Sequence, residues 1–256
     1  MKRIVLAAAL VALGSASALA ADLPPRGYDK APAMAAAATN WSGLYIGGNL
    51  GYGWGNGNTA FSFSHVSVDS TALDIKSKGA IGGAQIGYNW QMGAIVAGLE
   101  ADIQGSRIES SRRSPFFNTE VNAFIPGNFL STEQKLSWLG TVRGRLGAAV
   151  TPDLLLYTTG GLAYGHVDAS ANTFFNSDLQ FPASVSKTKA GWTVGAGAEW
   201  MFARNWSAKL EYLYVDIGSE SASAIQTDVP ADPLFKVRYT WHTQENIVRA
   251  GVNYHF

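Results

Sequence analysis

Eight charged side chains stand out in this sequence because they alternate with apolar residues inside segments that carry little other charge. Most of them come in pairs two residues apart, a spacing that puts both side chains on the same face of a β-strand. Four acids and four bases held close together favour an ion-pair network, although the same groups could line a narrow path for ions. The eight residues are Glu100, Asp102, Arg143, Arg145, Glu199, Lys209, Glu211 and Arg249.

Four histidines, His65, His166, His242 and His255, are the other candidates for chemistry. Neutral imidazole is a good ligand for a metal or haem iron. These histidines share no short ligand spacing, however, and the chain has no cysteine. We expect the first three to be solvated loop residues, with a haem site as the alternative. No serine is evident beside His255, and no histidine–serine pair is evident on an outward face. We therefore predict no catalytic residue, no metal site, no cofactor and no enzymatic activity.

The elements that must position the charges are strands, which the two-residue period of the apolar residues indicates. In the segment from Asn246 to Phe256, Val248 and Val252 fall on one face and Arg249 on the other. Placing each apolar face outward turns all eight charges inward. Seven earlier segments alternate similarly, at residues 41–54, 79–91, 94–104, 135–150, 154–166, 188–202 and 206–217.

The segment at residues 154–166 is the one whose orientation the pattern leaves open. Leu156 and Leu162 fit an outward face. Leu155 and Tyr157 fit the opposite register nearly as well. The other strands have one clear apolar face, so this ambiguity does not change the number of strands.

The connections between these segments alternate between long and short. The long ones are residues 56–78, 105–134, 167–187 and 218–243, and the short ones lie near residues 92–93, 151–153 and 203–205. This alternation is typical of outer-membrane barrels. The sequence thus predicts an all-β fold: an eight-stranded antiparallel transmembrane up-and-down β-barrel with long extracellular loops and short periplasmic turns. Side chains fill the interior of a barrel of this size, which favours a plugged lumen over an open pore.

Composition and the first 40 residues agree with an exported envelope protein. Charged residues make up only 15% of the chain and the formal charge is zero, so nothing indicates a nucleic-acid partner. Lys2 and Arg3 precede an apolar run, and Ala18-Leu19-Ala20 is a cleavage pattern. We therefore predict a signal peptide at residues 1–20, a Pro/Ala-rich periplasmic lead-in at 21–40 and an outer-membrane barrel at 41–256.

Several short motifs resemble those of a known family. They are Asn40 to Trp54, Gly87-Tyr-Asn-Trp90, Thr141 to Gly147, Thr159 to Gly165, Gly195 to Trp200 and Leu210-Glu-Tyr-Leu-Tyr214. In order and spacing they resemble the small outer-membrane proteins of alphaproteobacteria, of the 25/31-kDa outer-membrane protein type, also called opacity-like or porin-family. The resemblance covers residues 41–256. It implies an eight-stranded barrel with roles in envelope integrity and host-surface contact and, in some relatives, haem binding.

Together these patterns predict a non-enzymatic outer-membrane protein that supports the envelope, has a salt-bridged, plugged lumen and presents surface loops. A narrow porin-like channel for small solutes and a haem-binding surface receptor are the alternatives. The expected partners are outer-membrane lipid and lipopolysaccharide, the barrel-assembly machinery, and extracellular or host ligands that bind the loops. Tyr254 and Phe256 match the C-terminal assembly signal of such barrels. Arg112-Arg113 fits a contact for lipopolysaccharide and a solvated loop pair equally well.

Overall fold

The computed structural model describes residues 40–63, 72–118, 123–175, 179–225 and 236–256. Within these ranges, no helix is long and apolar enough to cross a membrane. The predicted signal peptide and nearly all of the lead-in lie outside the described residues and stay predictions. The strands are β1 (Gly43–Phe63), β2 (Ala72–Met92), β3 (Ile95–Asn118), β4 (Ala123–Thr151), β5 (Leu154–Phe175), β6 (Leu179–Ala203), β7 (Trp206–Ile225) and β8 (Lys236–His255).

The eight strands form a closed antiparallel barrel in chain order, as the sequence predicts. The last strand closes the ring against the first, with Leu50 opposite Ala250. Following the paired residues once around the ring from Tyr45 leads to Gly55, an offset of ten residues (55 − 45). Such an offset means that the strands are tilted, which closes the sheet without leaving an edge in lipid.

The lower part of the barrel presents an apolar belt to its surroundings. Trp54 and Trp192 mark its upper limit, and Trp90, Trp200 and Trp206 mark its lower limit beside the short turns. This arrangement matches the aromatic girdles at the two interfaces of a membrane. The exposed apolar residues between the girdles include Ile46, Leu50, Ile86, Leu99, Ile103, Val142, Leu146, Leu162, Val194, Leu210, Val248 and Val252.

The structure resolves the orientation of β5. Leu156 and Leu162 are exposed on the outer face. Leu155 and Tyr157 are buried inside the barrel, at 1% and 4% exposure. Of the two registers that the sequence leaves open, the one with Leu156 outward is therefore correct.

The strands continue well beyond the upper girdle, into segments for which the sequence predicts loops. β8 begins at Lys236 rather than near Asn246, and β4 begins at Ala123 rather than at Lys135. The sequence analysis looked for outward apolar residues, and in these segments the outward face is largely polar. The predicted long connections are consequently strand over much of their length.

Above the upper girdle the ring opens at two seams. Described pairing between β6 and β7 ends at Trp192 and Asp216, although both strands continue. Described pairing between β2 and β3 ends at Lys78 and Glu109. The pairs β8–β1 and β4–β5 stay joined far beyond these points. The extracellular half is therefore two four-stranded sheets, β7-β8-β1-β2 and β3-β4-β5-β6.

An apolar core lies between these two sheets. One sheet contributes Phe61 and Trp241 and the other contributes Leu130 and Phe181, all at 3% exposure or less. The hydroxyl of Tyr239 crosses the core and donates to the carbonyl of Phe181 at 2.8 Å. In this half the apolar side chains thus point inward, whereas below the girdle they point outward.

Candidate functional site

All eight charged residues selected from the sequence have their side chains inside the barrel. Each of them is 4% exposed or less. Ion pairs link all eight into one network rather than into separate pairs. Ionised groups inside a barrel are tolerated only when they are paired and hydrogen-bonded, and four acids here face four bases.

Glu100 on β3 is the centre of the network. Its carboxylate accepts from Lys209 at 2.9 Å and also pairs with Arg143. Arg145 and Arg249 lie 3.6 and 3.4 Å from it. Four cations from three other strands therefore converge on one carboxylate.

Asp102 and Glu211 complete the upper part of the network. Arg143 reaches Asp102 at 3.0 Å and Glu211 at 3.1 Å. Arg249 reaches the same two carboxylates at 2.9 and 2.6 Å. Each guanidinium thus bridges strands from opposite parts of the ring, which uses its planar, multi-donor geometry.

The network differs from the sequence expectation in how the charges pair. Glu199 and Lys209 lie on neighbouring strands and are cross-strand partners, so the order of strands in the sequence favours a pair between them. Lys209 instead crosses the lumen to Glu100, and Glu199 binds Arg145 at 2.6 Å. The lumen is narrow enough for long side chains to span it, so sequence neighbourhood does not decide the partner.

Two tyrosines belong to the network and were not selected from the sequence. Tyr45 donates to Glu100 at 2.7 Å and accepts from Arg145 at 2.7 Å. Tyr157 donates to Glu211 at 3.0 Å, and the guanidinium of Arg145 lies 3.9 Å from its ring centre. Alternation on β1 and β5 placed these rings at candidate inward positions, but nothing in the pattern indicated hydrogen bonds.

Room for the ring of Tyr45 comes from Gly87 on the neighbouring strand. A side chain at Gly87 would overlap the tyrosine ring. The motif that begins at Gly87 therefore has a packing explanation in addition to its value as a family resemblance.

The periplasmic end of the lumen holds a histidine–serine pair that corrects the sequence analysis. His255 Nε2 lies 2.9 Å from the hydroxyl of Ser207, which donates to Glu199 at 2.6 Å. The strands bring these residues together although they are far apart in sequence. Glu199 lies beside the same imidazole nitrogen as the serine, at 3.4 Å, whereas a catalytic triad needs the acid on the other nitrogen. Ser207 is also fully buried.

A second such pair lies on the outer face above the girdle, where the sequence analysis expected none. His166 Nε2 is 3.1 Å from the hydroxyl of Ser186, which donates to Asp168 at 2.6 Å. Thr188 lies beside the other imidazole nitrogen. The hydrogen bonds from Ser186 and Ser137 lower the pKa of Asp168. Here too the acid is on the wrong side of the ring for a triad.

The histidines considered as ligands in the sequence analysis are not brought together in the described parts of the chain. In residues 40–63, 72–118, 123–175, 179–225 and 236–256, no cluster of three potential metal ligands occurs. His242 contacts Ser219 at 2.8 Å and Asp216 at 3.7 Å, and His166 lies on a different sheet. His65 lies outside the described residues.

The lumen above the charge network is filled by apolar side chains with one unusual carboxylate. Leu139, Leu213 and Ile247 are among the buried residues of this layer. Glu245, 4% exposed, accepts from Ser77 at 2.6 Å, and its second oxygen has no hydrogen-bond partner in the described structure. The sequence analysis missed Glu245 because it lies just before the predicted last strand.

Tyr254 and Phe256 lie at the lower end of β8, with their rings in edge contact at 5.1 Å. Phe256 is 66% exposed at the lower girdle. That the barrel-assembly machinery recognises Tyr254 and Phe256 stays a prediction. Arg112 and Arg113 lie high on β3, where Arg112 donates to the carbonyl of Asp74 and Arg113 stacks on a phenylalanine ring.

Comparisons with known proteins agree with this architecture. The family model of the outer membrane protein beta-barrel domain matches residues 30–256. The 31 kDa outer-membrane immunogenic protein of Brucella melitensis biotype 1 is 38% identical over 261 residues, covering 100% of both chains. The 25 kDa outer-membrane immunogenic protein of Brucella abortus biovar 1 is 29% identical, covering 100% of this chain and 99% of its own.

Among solved structures, the outer membrane protease OmpT from Escherichia coli is similar with a TM-score of 0.47 and 12% sequence identity. The likeness covers 84% of this chain and 97% of OmpT. The family model and the full-length Brucella relatives confirm the resemblance that the sequence motifs indicated and the predicted outer-membrane location. The chain belongs to the outer membrane protein β-barrel domain family.

Proposed function

We propose that this protein is a non-enzymatic structural barrel whose plugged lumen keeps the outer membrane sealed while its extracellular half presents a surface for interaction. The observation that carries the proposal is the filled interior. A paired charge network occupies the lower lumen, and apolar residues such as Leu139 and Ile247 lie above it. A barrel of eight strands has no room for a water channel beside such a filling.

Conductance in planar bilayers tests the sealed lumen against the alternative of a narrow channel. We expect the refolded parent to give no stable conductance above that of the lipid alone. Removing the guanidinium of Arg143 and the carboxylate of Glu211 together should raise the frequency of openings, because it takes away matched charge and volume. A stable ionic conductance in the parent would favour the channel instead.

The absence of catalysis is part of the proposal and is supported by hydrogen-bond geometry. In both histidine–serine pairs the acid lies beside the same nitrogen as the serine, and Ser207 is buried. Hydrolysis of ester and peptide probes by the parent, abolished by Ser186→Ala or Ser207→Ala, would contradict this part of the proposal.

The envelope role is testable in cells. A strain that lacks the protein should take up an apolar fluorescent dye faster than the parent strain, and the intact barrel should restore the barrier. A variant lacking only residues 64–71 and 226–235, which join β1 to β2 and β7 to β8 in the sequence, should restore the barrier equally well while losing contacts with extracellular or host ligands. Unchanged dye entry in the deletion strain would remove the envelope role. The expected partners in this role are outer-membrane lipid, lipopolysaccharide and the assembly machinery.

A further inference from the structure

We propose that Lys76, Lys78 and Arg107 form a binding site for the phosphate groups of lipid A, the lipid anchor of lipopolysaccharide. We call these three residues the interface cations. The inference deepens the proposed envelope role by locating a lipid-binding site. Its test measures lipid binding, so its failure is distinguishable from failure of the sealed lumen.

The interface cations lie at the height where a lipid headgroup begins. Lys78 is the cross-strand partner of Trp54 in the upper girdle. Arg107 lies two residues after Gly105, whose cross-strand partner on β4 is another tryptophan, Trp138. Tryptophan rings occupy the boundary between apolar chains and headgroups, so charges directly beyond them meet the phosphates.

A β-bulge places Arg107 beside the two lysines. The pairing of β3 with β4 shifts between Gly105 and Ile108, which inserts an extra residue at this point. β2 approaches closely because Gly79 has no side chain, and any side chain there would meet the backbone of Arg107. Bulges commonly re-aim a side chain next to a binding site.

The interface cations are exposed and are not neutralised by ion pairs. Within the described ranges, none of the three contributes to an ion pair, whereas the lysines of the β6–β7 seam do. Two carboxylates lie nearby: Glu109 is the cross-strand partner of Lys78, and Asp74 lies two residues before Lys76 on the same face of β2. Three cations and two acids leave a net positive charge of one at the headgroup level, which favours an anionic ligand.

The lipid-facing surface below the cations is concave. Gly48 and Ala84 are cross-strand partners that form its floor, and Ile46, Ile86 and Ile103 rise around them. Small residues flanked by large apolar ones leave a trough in which acyl chains fit. The trough and the cations lie on the same strands, so one phosphorylated, acylated molecule contacts both.

The opposite side of the barrel has a similar trough without the cations. Ala196 and Ala198 form part of that second concavity. On β6 and β7, the basic residues beyond Trp192 in the described segments are Lys187 and Lys189, which both pair with Glu220, and Asp216 lies close to Trp192 as its cross-strand partner. The cations therefore distinguish the β1–β3 side, and the second trough provides an internal control.

The experiment measures binding of bis-phosphorylated lipid A to the refolded barrel by native mass spectrometry. The test variant combines Lys76→Gln, Lys78→Gln and Arg107→Gln. The control removes the same charge elsewhere, with Arg204→Gln at a short periplasmic turn and Lys236→Gln and Arg238→Gln far above the girdle. Each basic residue near an anionic surface contributes roughly fivefold, so we expect about a hundredfold loss of affinity in the test variant. The control should stay near the parent.

Three further measurements keep the proposal falsifiable. Dephosphorylated lipid A should bind the parent as weakly as the test variant binds the intact lipid. Ala84→Phe, which fills the trough below the cations, should weaken binding, whereas Ala196→Phe on the opposite side should not. Equal losses in test and control variants, or equal affinity of the parent for phosphatidylglycerol, would overturn the assignment by showing general attraction to anionic lipid. Heat-dependent gel mobility verifies that each variant is folded.

Discussion

The two halves of this barrel bury opposite kinds of side chain. Below the upper girdle, apolar residues face outward and charged residues such as Arg249 face inward. Above it, outward residues are largely polar and the interior holds Phe61, Leu130 and Trp241. On β8 the inward series passes from Arg249 through Ile247 to Trp241 within one strand. The contrast shows that surrounding solvent, rather than the strand itself, decides which face is apolar.

The halves also differ in how their strands are connected. In lipid every backbone group must be paired, so the ring is closed there. In water an unpaired strand edge is tolerated, particularly where lysine or proline protects it. The open seam of β6 carries Pro182, Lys187 and Lys189. The lower half therefore depends on a continuous ring and its charges, and the upper half depends on an apolar core.

The largest expected effect comes from breaking the charge network in the lower half. Arg143→Ala removes a cation that contacts Glu100, Asp102 and Glu211 and leaves the buried network with four acids and only three bases. We expect a loss of about 3–5 kcal/mol in the free energy of unfolding, measured by urea titration in detergent micelles. Arg107→Ala, an exposed arginine, is the matched control. A loss for Arg143→Ala as small as the control's would mean that water, not protein, solvates the network.

The second effect tests the apolar core of the upper half. Leu130→Ala creates a cavity beside Phe181 between the two sheets and should cost about 2–5 kcal/mol. Because the ring is open at both seams, the loss should appear as easier proteolysis of the extracellular strands while the lower barrel stays heat-resistant. Leu162→Ala, the same substitution on the lipid-facing surface, is the control because it creates no cavity between the sheets. Simultaneous loss of both halves would show that they unfold as one unit.

Alternation predicted the lower half well because lipid imposes one rule on every strand. The number of strands, their order and the inward position of all eight charges follow from this rule. The ion-pair partners do not, since Lys209 and Glu100 meet only after the sheet closes with its particular tilt. The contact between Ser207 and His255 has the same origin.

The upper half was missed for a different physical reason. Its outward face is polar, so an interpretation that looks for outward apolar residues finds only loops. A signal was nevertheless present in β8, where Val237, Tyr239 and Trp241 alternate with polar residues. On β7, residues 219–225 are mostly serine and alanine, which leaves little contrast between the faces.

A smaller effect compares the paired acids with the unpaired one. Glu211→Gln removes charge that Arg143 and Arg249 require and should destabilise the barrel. Glu245→Gln removes a buried carboxylate that has only Ser77 as a partner in the described structure. We expect it to be neutral or to stabilise by about 1 kcal/mol, since an amide is less costly to bury than an uncompensated charge. Destabilisation of similar size by both substitutions, in the same urea titration, would indicate a cation bound near Glu245.

The smallest effect concerns the clamp at the open β6–β7 seam. Lys187 and Lys189 on β6 each lie 2.8 Å from Glu220 on β7, across strands that have no described backbone pairing there. Their hydrogen bonds lower the pKa of Glu220 from its ordinary value of 4.5. A carboxylate with a lowered pKa contributes stability above that ordinary value, and the contribution disappears as the pH falls below it. The clamp is partly solvated, so less than about 1 kcal/mol is at stake.

Spin labels can detect this clamp directly. The chain has no cysteine, so labels attach only where a cysteine is introduced. With labels at Ser184→Cys and Ser221→Cys, the distance distribution across the seam should be narrow at pH 7 and broaden well below pH 4.5. Glu220→Gln should give the broad distribution at both pH values, and Glu109→Gln on the other sheet should leave the narrow one unchanged at pH 7. A narrow distribution for Glu220→Gln would assign the seam's closure to the apolar core alone. In that case the apolar side chains between the two sheets would hold β6 beside β7, and the ion pairs across the seam would contribute nothing to it.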